Sequence, residues 1–152
     1  MVIKLAVPLL VFAAALVAGC SDVGSDGAVN SESRVDGRWY STDQVALGDE
    51  VFQGQCAVCH GARAQGLTED WRQRLDDGSF PPPPLNGSAH AWHHPLSVLT
   101  QVINEGGVPL GGKMPAFADV LSDAEKLAAV AYFQSFWDDE IYANWEQMGG
   151  TN

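Results

Sequence analysis

Two thiols and an imidazole stand almost together in the run Gln55-Cys56-Ala57-Val58-Cys59-His60-Gly61. A Cys-x-x-Cys pair aims two soft, oxidisable donors at one target. Three chemistries use it: half of a zinc cage, a dithiol that cycles with a disulfide, or attachment of haem through two thioether bonds. His60 follows at once and adds a ring nitrogen able to ligate a metal. Other donors are sparse. His90, His93 and His94 cluster well downstream, far from finger-type zinc spacing, and Met114 sits between Gly111-Gly112-Lys113 and Pro115, where a helical face to pack on is not expected.

The rest of the chain narrows these readings. Its opening segment, MVIKLAVPLLVFAAALVAGC, has one early Lys4, an apolar run from Leu5 to Ala18 and a small-residue end, the form of a secretory signal. The apolar run is shorter than the ~18 residues of a spanning helix. Its end resembles a bacterial lipobox, which implies cleavage before Cys20 and acylation of that cysteine. Residues 1–19 are therefore read as a lipoprotein-type signal peptide. The Gly-, Ser- and Asp-rich stretch 20–38 is read as a flexible tether, and 39–152 as one folded domain. With three cysteines in all and Cys20 lipidated, Cys56 and Cys59 remain as a lone pair in an exported protein, free for a cofactor and too few for a disulfide scaffold. The formal net charge of −11 argues against a nucleic-acid partner, whose phosphates need Lys and Arg.

The elements that must position the donors are helical. Ser41-Thr42-Asp43-Gln44 has the form of a capping box and predicts a helix over 43–55 that runs into the cysteine motif. A short helix is expected over 69–75. The four prolines 81–84 enforce an extended loop. Pro95 predicts another helix start, with Leu96, Leu99, Val102 and Ile103 on one face and Gly106 as its stop. Ser122-Asp123-Ala124-Glu125 is a second capping box, opening a helix with Leu127, Val130, Ala131, Phe133, Gln134 and Trp137 on a broad apolar face; the tail 138–152 is expected to extend it. No alternating strand pattern and no internal repeat appears. The expected fold class is all-α, with three to four helices and long loops. So little helix buries too little apolar surface to stand alone, and a large apolar cofactor would complete the core.

A dithiol redox motif would want a βαβ context, which is absent, and a zinc site would need two more ligands. At a helix end, by contrast, Cys56 and Cys59 share a face where each can add to one vinyl group of a haem, with His60 presented to the iron from the same side. From Thr42 to Trp137 the chain resembles the class I c-type cytochromes, the monohaem electron carriers. Gly48 and Phe52 stand where that family packs its first helix on its last, and Tyr132 stands where the last helix supplies an aromatic to the crossing. Pro83-Pro84-Leu85-Asn86-Gly87 resembles the family's Pro-x-Leu-x-Gly loop, and Gly111 to Phe117 resembles the segment carrying the sixth ligand.

The resemblance implies one haem c held by Cys56 and Cys59, His60 and Met114 as the axial iron ligands, and the Pro83 carbonyl as acceptor for the His60 Nδ1 proton. It also implies a non-enzymatic, monomeric carrier working with donor and acceptor redox proteins. With the signal and lipid, the expected place is the bacterial envelope, periplasm-facing and anchored to a membrane at Cys20. The segment Ser88 to Leu96 departs from the family's commonest pattern. Its histidines are read as a solvated stretch with Trp92 near the haem edge; a metal site, a contact with a redox partner, or a distal acid–base group of a sensor or peroxidase-like enzyme are the sharper alternatives. Trp71, Trp137, Tyr142 and Trp145 are read as core or pocket lining.

Overall fold

The computed structural model describes residues 34–152; the expected signal peptide, Cys20 and most of the expected tether lie outside the described residues. Five helices follow in order: α1 (Thr42–Gln55), α2 (Ala57–His60), α3 (Leu96–Glu105), α4 (Asp123–Gln134) and α5 (Asp139–Gln147). Single 3-10 turns span Ala91–His93 and Val108–Leu110. No strand forms among the described residues; Arg34 and Ser41 make an isolated bridge. The all-α class stands, with one helix more than the upper expectation.

Both capping boxes close. Ser41 Oγ accepts from Gln44 N at 3.1 Å while the Gln44 side chain accepts from Ser41 N, and Ser122 and Glu125 repeat the exchange at the head of α4. Each box satisfies amide donors that the first helical turn leaves orphaned. α1 and α4 then cross with their backbones in close contact. At Gly48 a Cβ would collide with the Ala128 carbonyl and stand 2.9 Å from Tyr132 Cβ, so only a residue without a side chain lets the two backbones meet. Phe52 packs beside it, its ring 5.1 Å from that of Tyr132.

Two expectations are corrected. Residues 69–75 form consecutive turns, not a helix. Asp70 accepts from the Arg72 amide through its side chain and from Gln73 through its carbonyl, and the Leu75 amide goes to Ser79 O. Side-chain capture of backbone donors competes with helix, and apart from half-buried Trp71 this stretch is exposed and gains no burial in return. The tail does not extend α4 either. Ser135 Oγ bonds back to Tyr132 O at 2.6 Å, the chain turns, and Asp138 caps a separate α5 by accepting from Ile141 N at 2.8 Å.

α5 closes the core from the side of the N-terminal residues. Trp145, Tyr142, Tyr40 and Trp137 are buried, and their rings meet edge-on or tilted: Tyr40 with Tyr142 at 6.4 Å, Tyr142 with Trp145 at 5.3 Å, Trp137 with Trp145 at 6.0 Å. The Tyr142 hydroxyl accepts from Trp39 N at 2.8 Å, and the Arg38 guanidinium lies over the Tyr142 ring at 4.0 Å. The last residues serve α3: Gly150 O and Asn152 O accept from Leu96 N and Ser97 N, first-turn amides that Pro95, lacking a capping side chain, leaves open.

Candidate functional site

α1 ends at Cys56, whose amide bonds to Phe52 O at 2.8 Å. The Cys56 carbonyl in turn accepts from the amides of Cys59 and His60, at 3.0 and 2.9 Å. One tight turn therefore carries both thiols and the imidazole. Gly61 closes it at φ 76°, and the His60 carbonyl is taken by Gly66 N at 2.7 Å. Cys59 is exposed, Cys56 half-buried and His60 buried, 8 % exposed.

His60 Nδ1 lies 2.9 Å from the carbonyl oxygen of Pro83. A carbonyl only accepts, so Nδ1 carries the proton and Nε2 keeps the lone pair. That is the tautomer a metal needs. Burial pushes the imidazole below its ordinary pKa, against the opposing pull of the Pro83 bond, and so favours the neutral, ligating form. Cys56 moves the other way: burial, with a smaller contribution from Cys59, pushes its thiol up to about 11. At neutral pH it is held as a protonated thiol, not as a poised thiolate, which speaks against a reactive dithiol centre.

Met114 comes from a different element, the loop after the Val108–Leu110 turn, and is half-buried against the same core that Cys56, Leu85 and Trp92 flank. Its seat is built of backbone. Gly107 N donates to Met114 O at 3.0 Å, and at Gly106, where φ is 82°, a Cβ would stand 2.7 Å from Met114 O and 2.9 Å from Ala116 N. The Phe117 amide goes to Ile103 O at 3.0 Å and ties the far side of the loop to α3. Lys113 pairs with Asp77 on the surface.

The three downstream histidines do not converge on a metal position; among the described residues no group of three or more His, Cys, Asp or Glu side chains does. His90 stacks on Trp71, ring centroids 4.6 Å apart, His94 stands edge-on to His90 at 5.4 Å, and His93 packs on Trp92 at 3.8 Å. Trp71 is thus a stacking partner of this segment and half-buried, whereas Trp137, Tyr142 and Trp145 are core as expected.

Reading the sequence missed the parts that hold the Pro83 loop. Ala64, in the left-handed region at φ 57°, offers its carbonyl to Leu85 N at 2.7 Å and Asn86 N at 3.1 Å; Trp137 Nε1 donates to Leu85 O at 2.7 Å. No local signal marks either residue for this role. The donor set fits a covalently held haem: two thiols on one turn, a neutral imidazole with a fixed tautomer, and a thioether in a preformed loop seat.

A family model described as cytochrome C oxidase, cbb3-type, subunit III matches residues 43–133, more than half of the chain. The matched stretch begins inside α1 and ends inside α4, contains Cys56, Cys59, His60, Pro83 and Met114, and leaves α5 outside. Neither a curated protein nor a solved structure matches the chain.

Proposed function

We propose, from the premise that this chain belongs to the c-type cytochrome family so matched, that it is a membrane-tethered monohaem carrier moving single electrons in a bacterial envelope chain. Membership gives a haem-binding electron-transfer domain. The finer reading assigns Cys56 and Cys59 to the two thioether bonds of a single haem, since the chain has one Cys-x-x-Cys-His. His60 and Met114 would be the two protein ligands of its iron, and Cys20 would carry the lipid.

One observation carries the assignment: His60 is buried beside the two thiols with Nδ1 on Pro83 O at 2.9 Å, the arrangement that turns Nε2 into a metal ligand. A bound haem supplies one-electron chemistry between ferric and ferrous iron. The chain's own residues do the rest. Pro83 O fixes the ring and raises its donor strength; the Met114 thioether, a weak soft donor, favours the ferrous state and lifts the potential relative to a second imidazole. With both positions filled, the protein transforms no substrate and passes electrons between donor and acceptor proteins. A lipid on Cys20 would keep it near membrane partners and raise their effective concentration.

The test is a visible spectrum of the matured protein, oxidised and reduced, followed by carbon monoxide. Sharp low-spin reduced bands that ignore carbon monoxide are expected, with a ferric sulfur-to-iron band that Met114→Ala abolishes. Prompt carbon monoxide binding by the unmodified protein would replace the carrier with a ligand-binding haem protein. Labelling by a fatty-acid probe that is lost in Cys20→Ser, with uncleaved labelled precursor accumulating under globomycin, tests the anchor.

A further inference from the structure

The carbonyl on which the His60 tautomer depends belongs to a segment that cannot hold itself in place. Pro81 to Pro84 carry no amide hydrogens, so none of them can donate a backbone hydrogen bond to the rest of the protein. Position must come from the flanking residues: Phe80, whose amide donates to Gly111 O at 2.9 Å, and Leu85. Leu85 supplies it twice: its amide donates to Ala64 O at 2.7 Å, and its carbonyl accepts the Trp137 indole N–H, also at 2.7 Å. The first bond ties the loop to the turn that follows His60, because Ala64 N itself bonds to Gly61 O at 2.9 Å. The second ties it to the α4–α5 junction, far away in sequence and rigid in its surroundings. Trp137 is 3 % exposed, packed on Phe133 and Trp145. Under the loop the fit is close: at Gly87, where φ is 94°, a Cβ would stand 3.2 Å from Trp137 Cδ1.

We propose that Trp137 is a positioning residue for the proximal imidazole: by holding Leu85 O it sets the Pro83 carbonyl against His60 Nδ1–H and so tunes the donor strength of Nε2. The inference rests on His60 being the iron ligand. Trp137 lies just past the stretch 43–133 that the family model matches. The direction follows from electrostatics. A strong Nδ1–H···O bond gives the ring partial imidazolate character, which stabilises ferric iron. Freeing Leu85 O lets the Pro83 carbonyl drift, weakens that bond and favours the ferrous state.

Three variants of the haem-loaded protein decide it. Trp137→Phe keeps an apolar ring and loses the N–H. Replacement of Trp137 by β-(3-benzothienyl)alanine keeps the fused ring as well and loses only the N–H, so it answers even if the Phe variant does not fold. Trp39→Phe is the control: it deletes another indole hydrogen bond, to Gln134 Oε1 at 2.6 Å, in the same aromatic cluster and away from the loop. Both Trp137 variants are expected to raise the midpoint potential and to shift the His60 Nδ1–H proton resonance of the reduced protein upfield. Trp39→Phe should do neither, although it too loses stability. Equal shifts in all three, or none in the Trp137 variants, overturn the proposal while leaving His60–Met114 ligation intact. Failure of the unmodified protein to bind haem covalently overturns both, and the spectrum distinguishes the two cases.

Discussion

Where α1 crosses α4, backbone meets backbone through Gly48, and a single added carbon would enter the Ala128 carbonyl. The loop from Pro81 to Gly87 is held differently, by the Leu85 and Asn86 amides given to Ala64 O and an indole hydrogen received from Trp137. The crossing is thus fixed by size and the loop by donors. Close-packed contacts fail when anything is added, because interiors transmit strain and have few voids. Hydrogen-bonded loops fail when a donor is removed, because a carbonyl then seeks another partner and the segment shifts. The site draws on both: the crossing fixes the helix that presents Cys56, and the loop fixes the carbonyl that orients His60.

The sharpest way to break that comparison is at Gly48. Gly48→Ala should cost roughly 2–4 kcal/mol, since the clash is with backbone and cannot be relieved by a rotamer change. Chemical denaturation of the haem-loaded protein measures it. Gly54, in the same helix, has open space where a Cβ would go. There Ala should stabilise by about 0.5–1 kcal/mol through helix propensity alone. If both substitutions change stability alike, the crossing is not set by size.

Gly106 belongs with the crossing, because its positive φ and its closeness to Met114 O both exclude a side chain. Gly106→Ala should cost about 1–3 kcal/mol and displace the Met114 loop. The second effect has its own signature, carbon monoxide binding to reduced protein that the parent excludes. Stability lost without carbon monoxide binding would mean the loop tolerates the shift. Next in size is Ser122→Ala, which removes the α4 cap and should cost about 1 kcal/mol, with no change in the visible spectrum. A spectral change there would show that the α4 terminus reaches the haem environment.

What could be read from the sequence follows the same division. The crossing was legible through the family resemblance, which set Gly48 and Phe52 of the first helix against Tyr132 of the last. The capping boxes were legible because Ser41 and Gln44, like Ser122 and Glu125, interact within one turn. The Pro83 carbonyl could be paired with His60 only through the family resemblance. The bonds that hold that loop left no trace, since Ala64 and Trp137 act through a carbonyl and a ring nitrogen on a partner carbonyl distant in sequence. The expected helix over 69–75 failed for a local reason, the capture of backbone amides by Asp70, which composition does not weigh. The tail reads as a continuation of α4 because the apolar pattern passes straight through Ser135, whereas the chain turns after it and Asp138 caps a new helix.

The smallest expected effect concerns the histidine segment, whose end is held by the Trp145 indole N–H on His94 O at 2.8 Å and whose His90 is held by stacking. His90 lies flat on Trp71 at 22°, and its Nδ1 is buried with no hydrogen-bond partner among the described residues. Burial first, then the neighbouring His94, His93 and Arg72, holds its pKa below the ordinary 6.5. A folded-state pKa lowered in this way means that the unfolded chain binds the proton more readily. The stability this contributes is therefore complete above pH 6.5 and is lost as the pH falls through the folded value. Carboxylates add their own loss at lower pH, so the diagnostic window lies just below 6.5. Thermal midpoints of the haem-loaded protein should fall there, and His90→Phe, which keeps the ring on Trp71 and removes the titration, should flatten the fall. An unchanged slope in His90→Phe would assign the acid sensitivity to another group and leave Trp71 and His90 as a packing pair alone.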